Sequence, residues 1–106
     1  MTQPESLIVH RIMRHLKDAH PKSLWWKTHG NQYSGRGWPD IVGMIDGRFV
    51  GIEVKMPGKK LRPLQVWRLE TIRQAGGIGI GVHSVEEVRD CLGNLLRSRT
   101  TRQVDR

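Results

Sequence analysis

The 106-residue sequence contains only one cysteine, Cys91, which excludes a disulfide framework and a cysteine-rich zinc site. Such sparing use of cysteine fits a reducing, intracellular setting. No run approaches the roughly 20 consecutive apolar residues that a membrane-spanning helix needs. The first residues also lack the basic-then-apolar pattern of a secretory signal. We therefore expect a soluble, cytoplasmic protein without a membrane partner.

Acidic residues are scarce relative to basic ones. The chain has 10 Asp and Glu against 18 Lys and Arg, which gives a formal net charge of +8 at pH 7. Such an excess favours a polyanionic partner through phosphate contacts and counterion release. Nucleic acid is the first expectation and an anionic membrane surface the second. Charge alone does not distinguish an enzyme from a binding module.

Apolar periodicity and turn residues divide the chain into seven elements in the order helix, three strands, helix, strand, helix. This order predicts an α/β domain with a mixed β-sheet flanked by helices. Thr2 is expected to cap the first helix, with Glu5 completing a capping box. Residues 1–97 are interpreted as one domain and residues 98–106 as a basic tail. The strands are predicted at 24–28, 38–45, 48–55 and 78–82, the second helix from Pro63 to Gly76-Gly77, and the last helix from Ser84 to about Arg97.

The dipeptide Asp46-Gly47 lies between two β-rich runs and predicts a hairpin with a two-residue turn. In that register Asp40 lies opposite Glu53, with Cβ atoms about 4.5–5.5 Å apart. Two carboxylates this close repel each other unless a cation lies between them, and a divalent ion is the usual solution. Lys55 projects from the same face. Gly51 also lies on this face and is expected to leave room beside the cluster.

Other interpretations of these residues are less specific. The two carboxylates and the lysine are also compatible with a cross-strand salt-bridge cluster, although surface pairs contribute little stability. Three histidines, His10, His15 and His20, recur five residues apart. Each step rotates them by about 140° around a helix, so they do not line one face and no zinc site is predicted.

Four segments in order carry a resemblance to a known family. They are Gly37-Trp38-Pro39-Asp40, Ile52-Glu53-Val54-Lys55, Leu61 with Gln65, and Gly76 or Gly77 before a short strand. Together they resemble the PD-(D/E)xK nuclease superfamily and, within it, the stand-alone phage or bacterial type of the virus-type replication-repair nuclease domain, VRR-NUC. The resemblance spans residues 4–83. It implies a restriction-endonuclease-like fold and a DNA endonuclease working in a bacterial or phage-infected cell.

The resemblance also implies a role for each matching residue. Asp40 and Glu53 would hold Mg²⁺ or Mn²⁺, with the Val54 carbonyl as a third protein ligand. Mg²⁺ keeps several water molecules, one of which is available for attack on the phosphodiester. Lys55 would position that water or stabilise charge on the phosphate.

Further residues are expected around this centre. Gln65 would lie one turn into the second helix, near the site. In related families a glutamate of the first helix joins the metal site, and Glu5 is its match here. Glu5 lies on the apolar stripe of its helix, so we expect it to point inward, although a capping box explains it equally well. The basic residues expected to contact the DNA backbone are Lys59, Lys60, Arg62, Arg36 and Lys27.

Three functions are compatible with these patterns. The chain has no helix-turn-helix or zinc finger, which favours a structure-directed endonuclease that cuts branched DNA such as a four-way (Holliday) junction. A restriction-type enzyme that cuts a specific sequence is one alternative, and a non-catalytic DNA-binding module is another.

Resolving a four-way junction requires two nicks related by two-fold symmetry, and the chain has one site. A homodimer, the commonest oligomer, would supply the second site. Its contact surface is predicted either at the adjacent Trp25 and Trp26 or at three leucines of the last helix, Leu92, Leu95 and Leu96.

Overall fold

The computed structural model describes residues 4–28 and 37–104, with side chains as far as Arg97. Three helices and four strands lie in these ranges, in the predicted order. None of these helices is both long and apolar enough to cross a membrane. The elements are α1 (Glu5–Ala19), β1 (Leu24–Lys27), β2 (Ile41–Ile45), β3 (Arg48–Val54), α2 (Pro63–Gln74), β4 (Ile78–Val82) and α3 (Val85–Val104).

The four strands form one mixed sheet in the order β1-β2-β3-β4. The first three are antiparallel neighbours, and β4 runs parallel to β3, with α2 as the crossover helix between them. At the β2–β3 turn, Asp46 and Gly47 have φ values of 51° and 74°, as a two-residue turn of the primed type requires. The predicted register is confirmed from Ile45↔Arg48 to Ile41↔Ile52.

Helices cover both faces of the sheet. α1 and α3 pack on one face, where Val50, Ile52 and Val54 are fully buried, and α2 packs against β3 and β4 on the other. Burial of each large apolar side chain contributes about 1.5–3 kcal/mol. The core on the α1–α3 side consists of Ile8, Val9, Ile12, Leu16, Trp25, Ile41, Ile45, Val50, Ile52, Val54, Ile78, Ile80, Val82, Val88 and Leu92.

Several predicted boundaries are wrong. The N-cap of α1 is Pro4, not Thr2, which lies outside the described residues. β2 begins at Ile41, three residues later than predicted, because Pro39 lacks the N–H that a strand would donate. α3 does not end near Arg97 but continues to Val104, since no glycine or proline follows to stop it.

Candidate active site

Asp40 immediately precedes β2 and is held by hydrogen bonds on two sides. Its carbonyl oxygen accepts the Thr28 N–H at 3.0 Å, and the Thr28 hydroxyl donates to the Pro39 carbonyl at 2.8 Å. Its Oδ2 atom accepts the backbone N–H of Val54 at 2.8 Å. These contacts extend the β1–β2 pairing and fix the carboxylate beside the end of β3.

Glu53 is 3% exposed and is the one buried ionisable side chain among the described residues. Burial raises its pKa from 4.5 to about 8, and the charge of Asp40 and a side-chain hydrogen bond to it act in the same direction. Lys55 opposes the shift, and Glu5 adds a smaller increase. Glu53 therefore holds a proton at neutral pH unless a cation takes its place.

Gln65 lies between the start of α2 and Glu53. Its side-chain Nε2 donates to Glu53 Oε2 at 3.0 Å, and its Oε1 accepts the Arg62 N–H at 2.8 Å. Each amide atom thus has a partner of the correct polarity, which fixes the orientation of the amide. The sequence placed Gln65 near the site but did not identify either partner.

Lys55 and Glu5 flank the carboxyl pair. The Lys55 N–H donates to the Val82 carbonyl at 2.9 Å, and the half-buried side chain acts electrostatically on Glu53. Glu5 is the first residue of α1 and is exposed, so the expectation that it points inward is wrong. Helical spacing placed Glu5 in line with the buried residues of α1. At the first residue of the helix, however, this line of residues has already passed the edge of the core.

The donor set of this cluster fits a hard divalent cation. Two carboxylates supply the hard oxygen ligands that Mg²⁺ and Mn²⁺ prefer, and the Val54 carbonyl remains a third ligand on the strength of the resemblance alone. Burial and the neighbouring charge of Asp40 raise the pKa of Glu53, and a cation held between the two carboxylates would oppose both effects. Within the described ranges, no group of three or more His, Cys, Asp or Glu side chains is placed to hold a metal ion. Glu5 therefore does not complete a three-carboxylate site in this arrangement.

The room expected beside Gly51 is occupied. A Cβ atom at this position would lie 2.8 Å from Pro39 Cγ and 2.8 Å from Ile72 Cδ1. The absent side chain therefore lets the proline before Asp40 and a residue of α2 meet over the sheet. Gly51 supports the packing behind the site instead of opening a space for substrate.

The basic loop after Lys55 is exposed but anchored to β4. Lys59, Lys60 and Arg62 are all exposed, as expected for residues that contact a DNA backbone. The Lys59 carbonyl accepts from His83 Nε2 at 3.2 Å, a contact that the sequence did not indicate. Leu61 packs over Gly81, where a Cβ atom would approach to 2.9 Å.

The remaining basic candidates lie elsewhere. Lys27 is exposed on the α1 side of β1, in a groove that it shares with Arg14 and Lys17. Arg36 lies outside the described residues. Two further basic residues of α1, Arg11 and Arg14, were not among the predicted DNA contacts. They line a groove of about 670 Å³ that extends to Met56 and Pro57, directly after Lys55. Their position on the polar face of α1 was the signal available in the sequence.

The structure brings together the features behind the resemblance to PD-(D/E)xK nucleases: a carboxylate pair on a β-hairpin, a lysine two residues further on, and a mixed sheet between helices. The chain is similar to a solved structure described as a VRR_NUC domain, with a TM-score of 0.60 and 26% sequence identity. The match covers 79% of this chain and 92% of that chain. It confirms the resemblance to VRR-NUC domains and the predicted fold class. No protein-family model and no curated protein matches the sequence.

Proposed function

We propose that this protein is a metal-dependent DNA endonuclease that hydrolyses phosphodiester bonds. The observation that carries the proposal is the burial of Glu53 against Asp40, with Lys55 beside them. A buried carboxyl group beside a second carboxylate is costly for folding, and a protein that only binds a polyanion gains nothing from it. A strongly raised pKa such as that of Glu53 is typical of a catalytic site.

The metal would be held by the carboxylates of Asp40 and Glu53 and by the Val54 carbonyl. Mg²⁺ or Mn²⁺ bound there would lower the pKa of a coordinated water and neutralise charge on the scissile phosphate. The Lys55 ammonium would orient the attacking water or stabilise the negative charge that develops on the phosphate. Gln65 would keep the Glu53 carboxylate in place through its 3.0 Å hydrogen bond.

The exposed basic loop supports backbone contact with DNA. Lys59, Lys60 and Arg62 follow the site directly, so phosphates bound by them would pass close to the carboxylates. Phosphate contacts carry no sequence information, and this favours recognition of DNA shape. Branched DNA, and a four-way junction in particular, is our preferred substrate in replication, recombination or repair.

A homodimer would supply the two sites that junction resolution requires. The two surfaces predicted for it differ in the structure. Trp25 is buried, whereas Trp26 is 49% exposed and remains available for contact. On α3, Leu92 is in the core and Leu96 packs against it, so Leu95 alone of the three leucines is exposed. The β1 surface is therefore the better supported of the two.

Cleavage of defined DNA forms tests the proposal. Labelled duplex, flap and four-way-junction DNA are incubated with the protein, with and without Mg²⁺ or Mn²⁺. We expect metal-dependent nicks concentrated at the branch point and none with the Glu53→Gln variant. Discrete bands from plain duplex plasmid would indicate a restriction-type enzyme. Binding without cleavage under all metal conditions would indicate a non-catalytic module.

A further inference from the structure

A second pocket lies on the α2 side of the sheet, towards the β2–β3 turn. Its volume is about 500 Å³, within the range of about 300–1,000 Å³ that is usual for ligand pockets. Its floor is formed by Met44 and Phe49, which are directly opposed across β2 and β3. Trp38 and Arg68 form one wall, and the last turn of α2 with the glycines after it forms another.

Arg68, which forms part of this wall, contacts two indole rings, of which only Trp38 lines the pocket. Arg68 lies 4.2 Å from the ring centroid of Trp38 and 4.9 Å from that of Trp67. Both distances are within the range for cation–π attraction. Trp67 is 55% exposed although it is large and apolar, and it lies beside the pocket without lining it.

Charge and chemistry of the lining favour one kind of ligand. Arg48 and Arg68 line the pocket, and none of the described lining residues is acidic. Arg48 also donates to the Gly76 carbonyl at 3.2 Å, which places its guanidinium at the edge of the pocket near the end of α2. Aromatic faces combined with positive charge suit a nucleobase with its phosphate, because any base can stack on a ring.

The pocket lies on the same face of the sheet as the proposed active site, and Pro39 and Ile72 pack over Gly51 between the two. Trp38 precedes Asp40 by two residues, and Ile72 of α2 both lines the pocket and contacts the position of Gly51. From Asp40 to Met44 the chain advances four residues along β2, or about 13 Å at the rise of a strand. This distance corresponds to about four base-pair steps of DNA at 3.4 Å each.

We propose that this pocket holds an unpaired nucleotide of the DNA substrate while the phosphodiester is cut at the carboxylate pair. The inference rests on the proposed nuclease function and specifies the substrate as DNA with at least one unstacked base near the cut. The base stacks against the aromatic wall and its phosphate lies against the arginines. A fully paired duplex has no base to place there, so occupancy of the pocket selects branched or bulged DNA.

Filling the pocket tests this without removing any core side chain. Thr71→Trp and Ala75→Trp each introduce a ring from exposed positions that line it, and Gln74→Trp places the same ring on α2 outside it. Each substitution is made together with Asp40→Asn, so that the DNA is bound but not cut. The probes are a paired duplex and the same duplex with a two-nucleotide bulge that contains 2-aminopurine, titrated by anisotropy and by 2-aminopurine emission.

With the pocket unfilled, we expect the bulged DNA to bind about 10-fold more tightly than the duplex, and its emission to be quenched by stacking. Both effects should disappear in Thr71→Trp and Ala75→Trp and persist in Gln74→Trp. Equal affinities for the bulged DNA and the duplex, without quenching, in the Asp40→Asn protein that carries no added tryptophan would overturn the proposal. This result does not depend on whether Thr71→Trp and Ala75→Trp fold. Absence of binding to either DNA would instead contradict the nuclease function itself. If Thr71→Trp halves the molar mass measured by light scattering and quenching is absent, a second copy of the chain occupies the pocket.

Discussion

The side-chain amide of Gln65 donates a 3.0 Å hydrogen bond to Oε2 of Glu53, and its own oxygen accepts the backbone N–H of Arg62. One side chain thereby joins the first turn of α2 to the end of β3. The contact orients a buried carboxyl group whose other neighbours are Asp40 and Lys55. It makes Gln65 a positioning residue for the proposed metal site.

Replacing Gln65 should therefore slow cleavage without abolishing it. Gln65→Ala leaves Glu53 free to turn, and removal of such an orienting side chain typically lowers activity or metal affinity by about 10–100-fold. The cleavage rate at saturating DNA is measured over a range of Mg²⁺ concentrations. Part of the activity should be recovered at high Mg²⁺, whereas the matched variant Gln74→Ala should be unaffected. A wild-type Mg²⁺ dependence in Gln65→Ala would mean that the hydrogen bond has no role in metal binding.

Neutralising either carboxylate should abolish cleavage and preserve DNA binding. Asp40→Asn and Glu53→Gln each remove a negative charge that holds the metal, and neither removes a basic side chain. Gel-shift titration and cleavage assays on the same junction separate the two effects. Cleavage by either variant at the wild-type rate would show that the metal site lies elsewhere.

Lys55→Ala should stop cleavage while leaving the metal affinity largely intact, because the ammonium is proposed to act on water or phosphate. Isothermal calorimetry with Mn²⁺ measures the affinity directly. Weakened metal binding in this variant would indicate that Lys55 instead maintains the arrangement of the carboxyl pair.

The stability of the metal-free protein should depend on Glu53. Its pKa rises from 4.5 to about 8 on folding, so between these pH values the folded chain holds a proton that the unfolded chain has released. The contribution of Glu53 to the free energy of unfolding should then be largest below pH 4.5 and should fall as the pH rises towards 8. The slope is at most about 1.4 kcal/mol per pH unit. Urea unfolding in EDTA at several pH values measures it.

The matched comparison is Glu53→Gln, which cannot titrate. Subtracting its unfolding free energy at each pH from that of the wild type isolates the contribution of Glu53 from those of other groups. A difference that stays constant between pH 5 and 8 would contradict a raised pKa for this carboxyl group.

The basic loop should contribute to affinity for every form of DNA. Replacing Lys59, Lys60 and Arg62 together by alanine removes up to three cations that would neutralise phosphates. It should weaken binding uniformly and reduce the slope of log K against log salt by about 0.7–0.9 for each phosphate that is no longer neutralised. Anisotropy titrations at several salt concentrations measure the slope. An unchanged slope would locate the DNA path on another surface, for which Arg11 and Arg14 are the next candidates.

The hairpin and its carboxyl pair were predictable because their determinants are local. The Asp46-Gly47 turn sets the register, and the two-residue period of a strand then places Asp40 and Glu53 together. Contacts between distant elements were not predictable in this way. The Arg68 stack with Trp38 and Trp67 depends on how α2 lies over the sheet, and the occupied space above Gly51 depends on the same packing.

The end of α3 and the exposure of Glu5 were missed for a different reason. Helix periodicity describes which face of a helix is apolar, but it does not say where the core beneath that face ends. Glu5 has the spacing of a core residue and lies beyond the core, while α3 continues past the last buried leucine because nothing in its sequence stops it.

The hydrogen bond from the Arg62 N–H to the Gln65 side chain also fixes the distance between the basic loop and Glu53. In the proposed nuclease, the loop that binds the DNA backbone and the carboxylate that holds the metal are joined through one glutamine, so a displacement of the loop is transmitted to Glu53. The position of the cut relative to the bound phosphates is then set by a tether of a few residues. Lengthening the loop between Gly58 and Leu61 would leave the metal ligands in place and change the offset between the bound phosphates and the metal site. The nick would then move along the DNA strand.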